Sequence, residues 1–326
     1  MTEFQLSLSR RLVEEKKVAE TTAAAYLKTL HLLNDKKPFK NLSFLKNTET
    51  ILGKMKDYAE STQRALLAAV VSVLSLFAEK PAYKKVYAFY ADKMADGTQQ
   101  RKENPPDTSK KSKKQEDNWM TWEEVNTKRN EMLQEVKTYG KKVDEQQFNH
   151  LLSTLVLSLY TLTQPRRNQD YLDMMVVKGK KEPESTETNY LLVDKTPKQF
   201  IFNKFKTAKK YGKQVIDIPE ELKEMIALYL RHHPLKKDPV FPFLVSFDGT
   251  PLTAVNAITR ILNRIFGKKV GSSMLRHIYL SSKYDIEEMT EDARAMGHSV
   301  EEQKKYLKGS GEVVQSVEVP TLSTTD

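Results

Sequence analysis

The sequence predicts a mainly α-helical protein of two domains, the second carrying one small antiparallel β-sheet. Three observations lead there. Apolar residues recur every three or four positions from residue 1 to about 95 and again after 119, the spacing of a buried helix face. Strand-like runs are confined to one stretch, residues 189–218. Between the helical regions, DGTQQRKENPPDTSKKSKKQEDN (96–118) has no apolar residue and holds a Pro-Pro pair, so it reads as a flexible basic linker.

Each element has its own reason. In RRLVEEKKVAETTAAAYLKTLHLL, Leu12, Val18, Ala25, Tyr26, Leu30 and Leu33 fit helical faces, with Thr21 or Thr22 as the cap of a second helix. STQRALLAAVVSVLSLFAEK gives the strongest helix: Ser61 and Thr62 start it, and Leu66, Val70, Val73, Leu74 and Phe77 line one side. A further helix, about 81–94, is expected to stop at DGT. Thr121 and Glu124 have capping-box spacing at the head of the next helix. FNHLLSTLVLSLYTLT reads as a buried helix. The runs NYLLVD, QFIFNKF and KQVIDIP have strand character, and the last two are joined by KTAKKYG, whose Gly212 suits a turn. Pro219 is pre-set for a first helical turn of PEELKEMIALYLRHH, and helices at about 253–266 and 273–283 follow. No internal repeat is present.

The bulk numbers limit the function. The 326 residues can bury two cores, and 53 Lys and Arg against 43 acids give a net charge of +10. That excess fits a polyanionic partner, nucleic acid ahead of an acidic membrane surface. Cysteine is absent, which excludes disulfides, thiolate metal sites and a Cys nucleophile. The pair in Arg231-His232-His233 has no further ligands at sensible spacing and reads as a helix C-terminus, so no metal is expected. The N-terminus has no apolar signal core and no run approaches a membrane span, so the expectation is an intracellular protein.

The C-terminal stretch MGHSVEEQKKYLK sets His298 eight residues before Tyr306, amid lysines. A phenol with a pKa of about 10 attacks a phosphodiester only if its proton leaves while charge on phosphorus is stabilised. Guanidinium does this best, through two parallel hydrogen bonds. The departing sugar oxygen needs an acid, for which a hairpin lysine would serve. The chemistry asks for two arginines, a lysine and a further donor upstream. TQPRRNQDYLDMM supplies Arg166 and Arg167. NKFKTAKKYGKQ supplies Lys206, with Lys204, Lys209, Lys210 and Lys213 around it as candidate DNA contacts. SSMLRHIYLSSKY supplies Arg276, anchored by Leu275 and Tyr279.

In that order, Arg, hairpin Lys, x-x-x-Arg, Gly-His and Tyr, the chain resembles the tyrosine recombinases (integrases), with QPRRNQDY most similar to versions in crypton-type elements and in large DNA viruses and their satellites. The resemblance covers about residues 5–310. It implies a helical core-binding domain over 1–95, a catalytic domain over 119–308 with the DNA breaking-rejoining fold, and a C-terminal tail over 309–326. It further implies a site-specific recombinase or integrase acting on double-stranded DNA as a homo-oligomer, dimer to tetramer, with no cofactor, in a nucleus or viral factory if the chain comes from a eukaryotic element or virus. Tyr306 would form a 3'-phosphotyrosyl link, Arg167 and Arg276 would brace the phosphate, His298 would donate to it, and Lys206 would protonate the leaving oxygen.

This chain departs from the family pattern in having Ser273 three residues before Arg276, where histidine is usual. Serine donates a hydrogen bond but is neither cation nor useful base near pH 7, and His277 is placed to compensate. Arg166 and Arg167 compete for the first role. Arg167 is preferred, because it puts Asp170, Tyr171 and Met174 on one helix face, whereas Arg166 puts Asp170 and Asp173 there. Two other readings stand beside the recombinase: a type IB topoisomerase, similar in chemistry, and a non-catalytic DNA-binding protein that keeps the fold.

Overall fold

The computed structural model describes residues 1–104 and 111–284. The chain divides into two compact units, Met1–Thr108 and Ser109–Asp326. Among the described residues no helix is long and apolar enough to cross a membrane.

The first unit is helical: α1 (Glu3–Glu14), α2 (Glu20–Leu33), α3 (Thr48–Lys56), α4 (Glu60–Leu74) and α5 (Pro81–Glu103). Leu8, Leu12, Leu30, Leu45, Val70, Val73 and Leu74 meet in its core. Tyr90 is buried there and donates to the Leu45 carbonyl at 2.9 Å, which satisfies its phenol. Three expectations need correction. α2 starts after Ala19 and α4 after Ala59, neither with a side-chain cap. In both, a glutamate (Glu20, Glu60) opens the first turn and complements the helix dipole, so the hydroxyls fall inside the helix. The third concerns the linker: α5 does not stop at DGT but runs through Gly97 to Glu103. Thr98 donates to the Met94 carbonyl at 2.8 Å and Gln99 to Glu103 at 2.8 Å. Gln, Arg, Lys and Glu are good helix formers, and one glycine costs only about 1 kcal/mol.

The second unit opens with α6 (Lys113–Glu116), boxed by Ser112 and Gln115, so the expected linker is ordered at this end too. α7 (Trp122–Lys137) has the Thr121–Glu124 capping box: Glu124 N–H donates to Thr121 Oγ1 at 3.1 Å and Thr121 N–H to Glu124 Oε2 at 2.6 Å. α8 (Glu145–Thr161) is the central helix, with Leu151, Leu155, Val156, Leu159 and Tyr160 fully buried. It packs against α7 and against α11 (Glu220–His232) and α12 (Ala257–Phe266). Its buried Thr154 and Ser158 hydroxyls donate to the carbonyls one turn back. Pro219 caps α11 from just outside, and α12 starts later than expected, at Ala257. α13 (Ser272–Lys283) buries Leu275 and Ile278, and Tyr279 meets Trp122 edge-on at 5.2 Å.

The sheet differs from the expectation. It has five strands, β1 (Met175–Lys178), β2 (Tyr190–Asp194), β3 (Thr196–Phe202), β4 (Gln214–Asp217) and β5 (Val240–Pro242), in the order β4-β3-β2-β1-β5. β1 and β2 are parallel and the other pairs antiparallel, so the sheet is mixed. β1 and β5 are four and three residues long, too short to show an alternating pattern. Between β3 and β4 the expected turn contains a short helix, α10 (Ala208–Tyr211), and Gly212 follows with φ 70°, as a residue without Cβ allows.

Candidate phosphate-binding site

α8 ends at Thr161, and Pro165 and the two arginines follow a short turn. Arg167 caps α9 (Asn168–Leu172) in an extended conformation, half-buried. Asp170, Tyr171 and Met174 are buried and Asp173 is exposed, the face pattern expected from taking Arg167 as the site residue. Among the described residues the Arg167 side chain makes no hydrogen bond, ion pair or ring contact, although its charge reaches Asp170. Arg166 is differently placed. Its Nε donates to Asp170 Oδ2 at 2.9 Å, its Nη1 to Gln214 Oε1 at 2.9 Å, and its guanidinium lies 3.8 Å from the Phe202 ring centroid and 5.2 Å from that of Phe205. Burial raises the Asp170 carboxyl above its usual range, and the charges of Arg166 and Arg167 oppose that shift.

Beyond Arg167, α9 is joined to α12 through Asn168 and the buried Tyr160. This phenol donates to Asn168 Oδ1 at 2.9 Å, and Asn168 Nδ2 donates to Thr259 Oγ1 on α12 at 3.0 Å. Burial pushes the Tyr160 phenol well above its ordinary pKa, while the Ser272 hydroxyl and the Arg276 charge pull it down. Arg276, half-buried, donates through Nε to the Ser272 carbonyl at 3.3 Å. The residue after Arg167 thus reaches Thr259 on α12. A Cβ on Gly271 would come within 3.3 Å of Thr259, so the entry to α13 is closely seated on α12. Ser273 and His277 are exposed on α13, three residues before Arg276 and one after, on the side away from Leu275 and Ile278.

Lys206 is exposed directly after Phe205, which lies beside Arg166. The loop carrying it is tied down at its root: Asn189 Oδ1 accepts from the backbone N–H groups of Asn203 and Lys204, at 2.9 and 2.8 Å. Lys209 and Lys210 are exposed on α10. Lys204 faces Glu187 at 3.7 Å, and Lys213 pairs with Glu182, which also accepts from Gln199 at 3.0 Å. Exposed pairs of this kind are worth at most about 1 kcal/mol and exchange readily for a phosphate.

His298 and Tyr306 lie outside the described residues, as does the tail. His232 and His233 end α11: His233 is buried, its Nδ1 accepts from the Leu235 N–H at 3.1 Å, and burial lowers its pKa to about 4. No cluster of three metal-ligating side chains occurs among the described residues. A groove of about 700 Å³ between α7, α8 and α12, lined by His150, Ser153 and Arg264 among others, contains none of the proposed catalytic residues.

Sequence reasoning missed Tyr160, Asn168, Gln214 and Thr259 as the residues that join the boxes. A tyrosine closing an apolar helix just before Pro-Arg-Arg was the available signal, since a buried phenol must find a partner. Comparison with protein-family models, with curated proteins and with solved structures finds no match.

Proposed function

We propose that the chain is a metal-independent DNA strand transferase of the tyrosine recombinase type, a site-specific recombinase or integrase acting on double-stranded DNA as a homo-oligomer. The observation that supports this most is the link between the two arginine boxes, far apart in sequence: Asn168, next to Arg167, donates to Thr259, against which Gly271 at the entry to the Arg276 helix is closely seated, and the Lys206 loop is tied to the first box through Arg166 and Gln214. Fixed cations beside a proton donor are what phosphoryl transfer needs, because catalysis there is mostly positioning and charge stabilisation.

The step balances without a cofactor. The Tyr306 oxygen forms a bond to phosphorus and its proton passes to water. The bond from phosphorus to the 5'-oxygen breaks, and the Lys206 ammonium gives that oxygen its proton, which water later restores. Arg167 and Arg276 brace the non-bridging oxygens, and Ser273 and His298 donate to them. Attack by a second strand's 5'-hydroxyl reverses the step and releases Tyr306. One ester replaces another at each stage, so no energy source is required.

Two labelled duplexes carrying the element's own target sites test the proposal. Exchange of strands between them is the expected result. Relaxation of a supercoil without exchange would make the chain a topoisomerase, and binding without any cleavage would make it a non-catalytic DNA-binding protein.

A further inference from the structure

Arg166 has a role of its own, separate from phosphate binding. We infer that Arg166 is a positioning residue, which locks the loop carrying the Lys206 proton donor onto the helix that carries Arg167. The inference rests on the strand-transfer reading above and adds a part to it.

The geometry points this way on three counts. The guanidinium is already engaged: Nε goes to Asp170 on α9 and Nη1 to Gln214 on β4, each at 2.9 Å. One face lies 3.8 Å from the Phe202 ring at the end of β3, with Phe205 beyond it, so aromatic carbon covers a surface that a clamp would turn to its ligand. The side chain is only 16% exposed and its Asp170 partner 4%, which leaves little room for a duplex to approach. A phosphate clamp needs two free parallel donors at an open edge, and Arg166 has committed donors towards both neighbours.

Its contacts define a bridge. Asp170 is three residues after Arg167 on the same short helix. Phe202 and Gln214 sit at the two ends of the loop 203–213, and Phe205 adjoins Lys206. Arg166 therefore holds both ends of the lysine loop against the first-arginine helix. A general acid works only within hydrogen-bond reach of the leaving oxygen, and a loop displaced by an ångström loses much of that effect. Arg166 acts through Lys206 and touches no reacting atom.

A change of leaving group tests this. Replacing the bridging 5'-oxygen of the scissile phosphate by sulfur gives a thiolate, which departs without a proton and so needs no acid. Arg166→Met keeps an apolar stem over Phe202 and removes the fork. On an ordinary nicked duplex its single-turnover cleavage is expected to fall roughly 10²-fold or more, the lower end of what a general acid contributes. On the 5'-thio duplex it is expected to return to within about tenfold of wild type, as proton donation is then dispensable. Arg167→Met is expected to lose cleavage on both substrates. An equal loss for Arg166→Met on both would overturn the assignment and make Arg166 a phosphate ligand or a general structural residue. If Arg166→Met does not fold, Gln214→Leu cuts the same bridge from the loop side: sulfur rescue supports the inference and equal loss overturns it. Wild type inactive on both substrates would sink the strand-transfer reading and this inference with it, an outcome distinct from the failure of Arg166 alone.

Discussion

Arg276 shows how much one side chain is asked to do. Its guanidinium is half-buried, its Nε donates to the Ser272 carbonyl, and among the described residues its two Nη groups make no hydrogen bond. Arg276→Lys keeps the charge but not the fork, and covalent adduct formation on a nicked duplex should fall by roughly 10²–10³, the loss typical of removing one transition-state donor. Unchanged cleavage would place the clamp elsewhere. The same scale holds a pH effect remote from the site. His233 has a folded pKa of about 4 against an ordinary 6.5, so the fold favours its neutral form. That contribution is complete above pH 6.5 and is lost as pH falls towards 4, by about 3 kcal/mol at one pKa unit per 1.4 kcal/mol. His233→Phe should therefore lose less stability than wild type between pH 7 and 4.5 in urea titrations. An identical acid loss in both proteins would show that His233 is not the group responsible. Legibility ended at this scale too: the burial of Asp170, Tyr171 and Met174 follows the face pattern for which Arg167 was preferred, but nothing linear showed that its neighbour Arg166 reaches Gln214, 48 residues away.

Among the elements, those with a local cause were readable. The Thr121–Glu124 box stands as read, because a cap is a matter of three residues and two hydrogen bonds. Thr121→Ala should cost about 1 kcal/mol in a urea titration while Thr121→Ser costs little, and an unaltered midpoint for Thr121→Ala would show that tertiary packing alone sets the start of α7. Elements with a distant cause were not readable. β1 and β5 are strands only because β2 gives β1 a parallel partner and β1 gives β5 an antiparallel one; short runs such as MVVK and VFP carry too little pattern. The extent of α5 was misjudged for the opposite reason: polarity was taken for loop, whereas the solvent-facing end of a long helix is polar as well.

At the scale of the molecule, each unit has its own apolar core and the net charge is +10. On the proposed reading, charge of that size has an effect measurable as the dependence of DNA affinity on salt. Lys209 and Lys210, exposed on α10, should each contribute about one unit to the slope of log affinity against log salt, so that removing both lowers it by about two. No change in slope would mean that the loop tip stays clear of the backbone. The two-domain division was legible because an apolar-free stretch cannot join either core, and the mainly helical character because periodicity repeats over many turns. The link from Asn168 to Thr259 and on to the entry of α13 was not legible, since packing between α8, α9, α12 and α13 sets it. The central claim is covalent, and the most direct test is correspondingly simple. Wild-type protein, mixed with a nicked duplex that lets the downstream fragment diffuse away, should form a DNA adduct stable to denaturant, with the link mapping to the peptide that holds Tyr306. Tyr306→Phe should bind the same duplex and form none. An adduct that persists in Tyr306→Phe, or one that maps to another residue, would contradict the account.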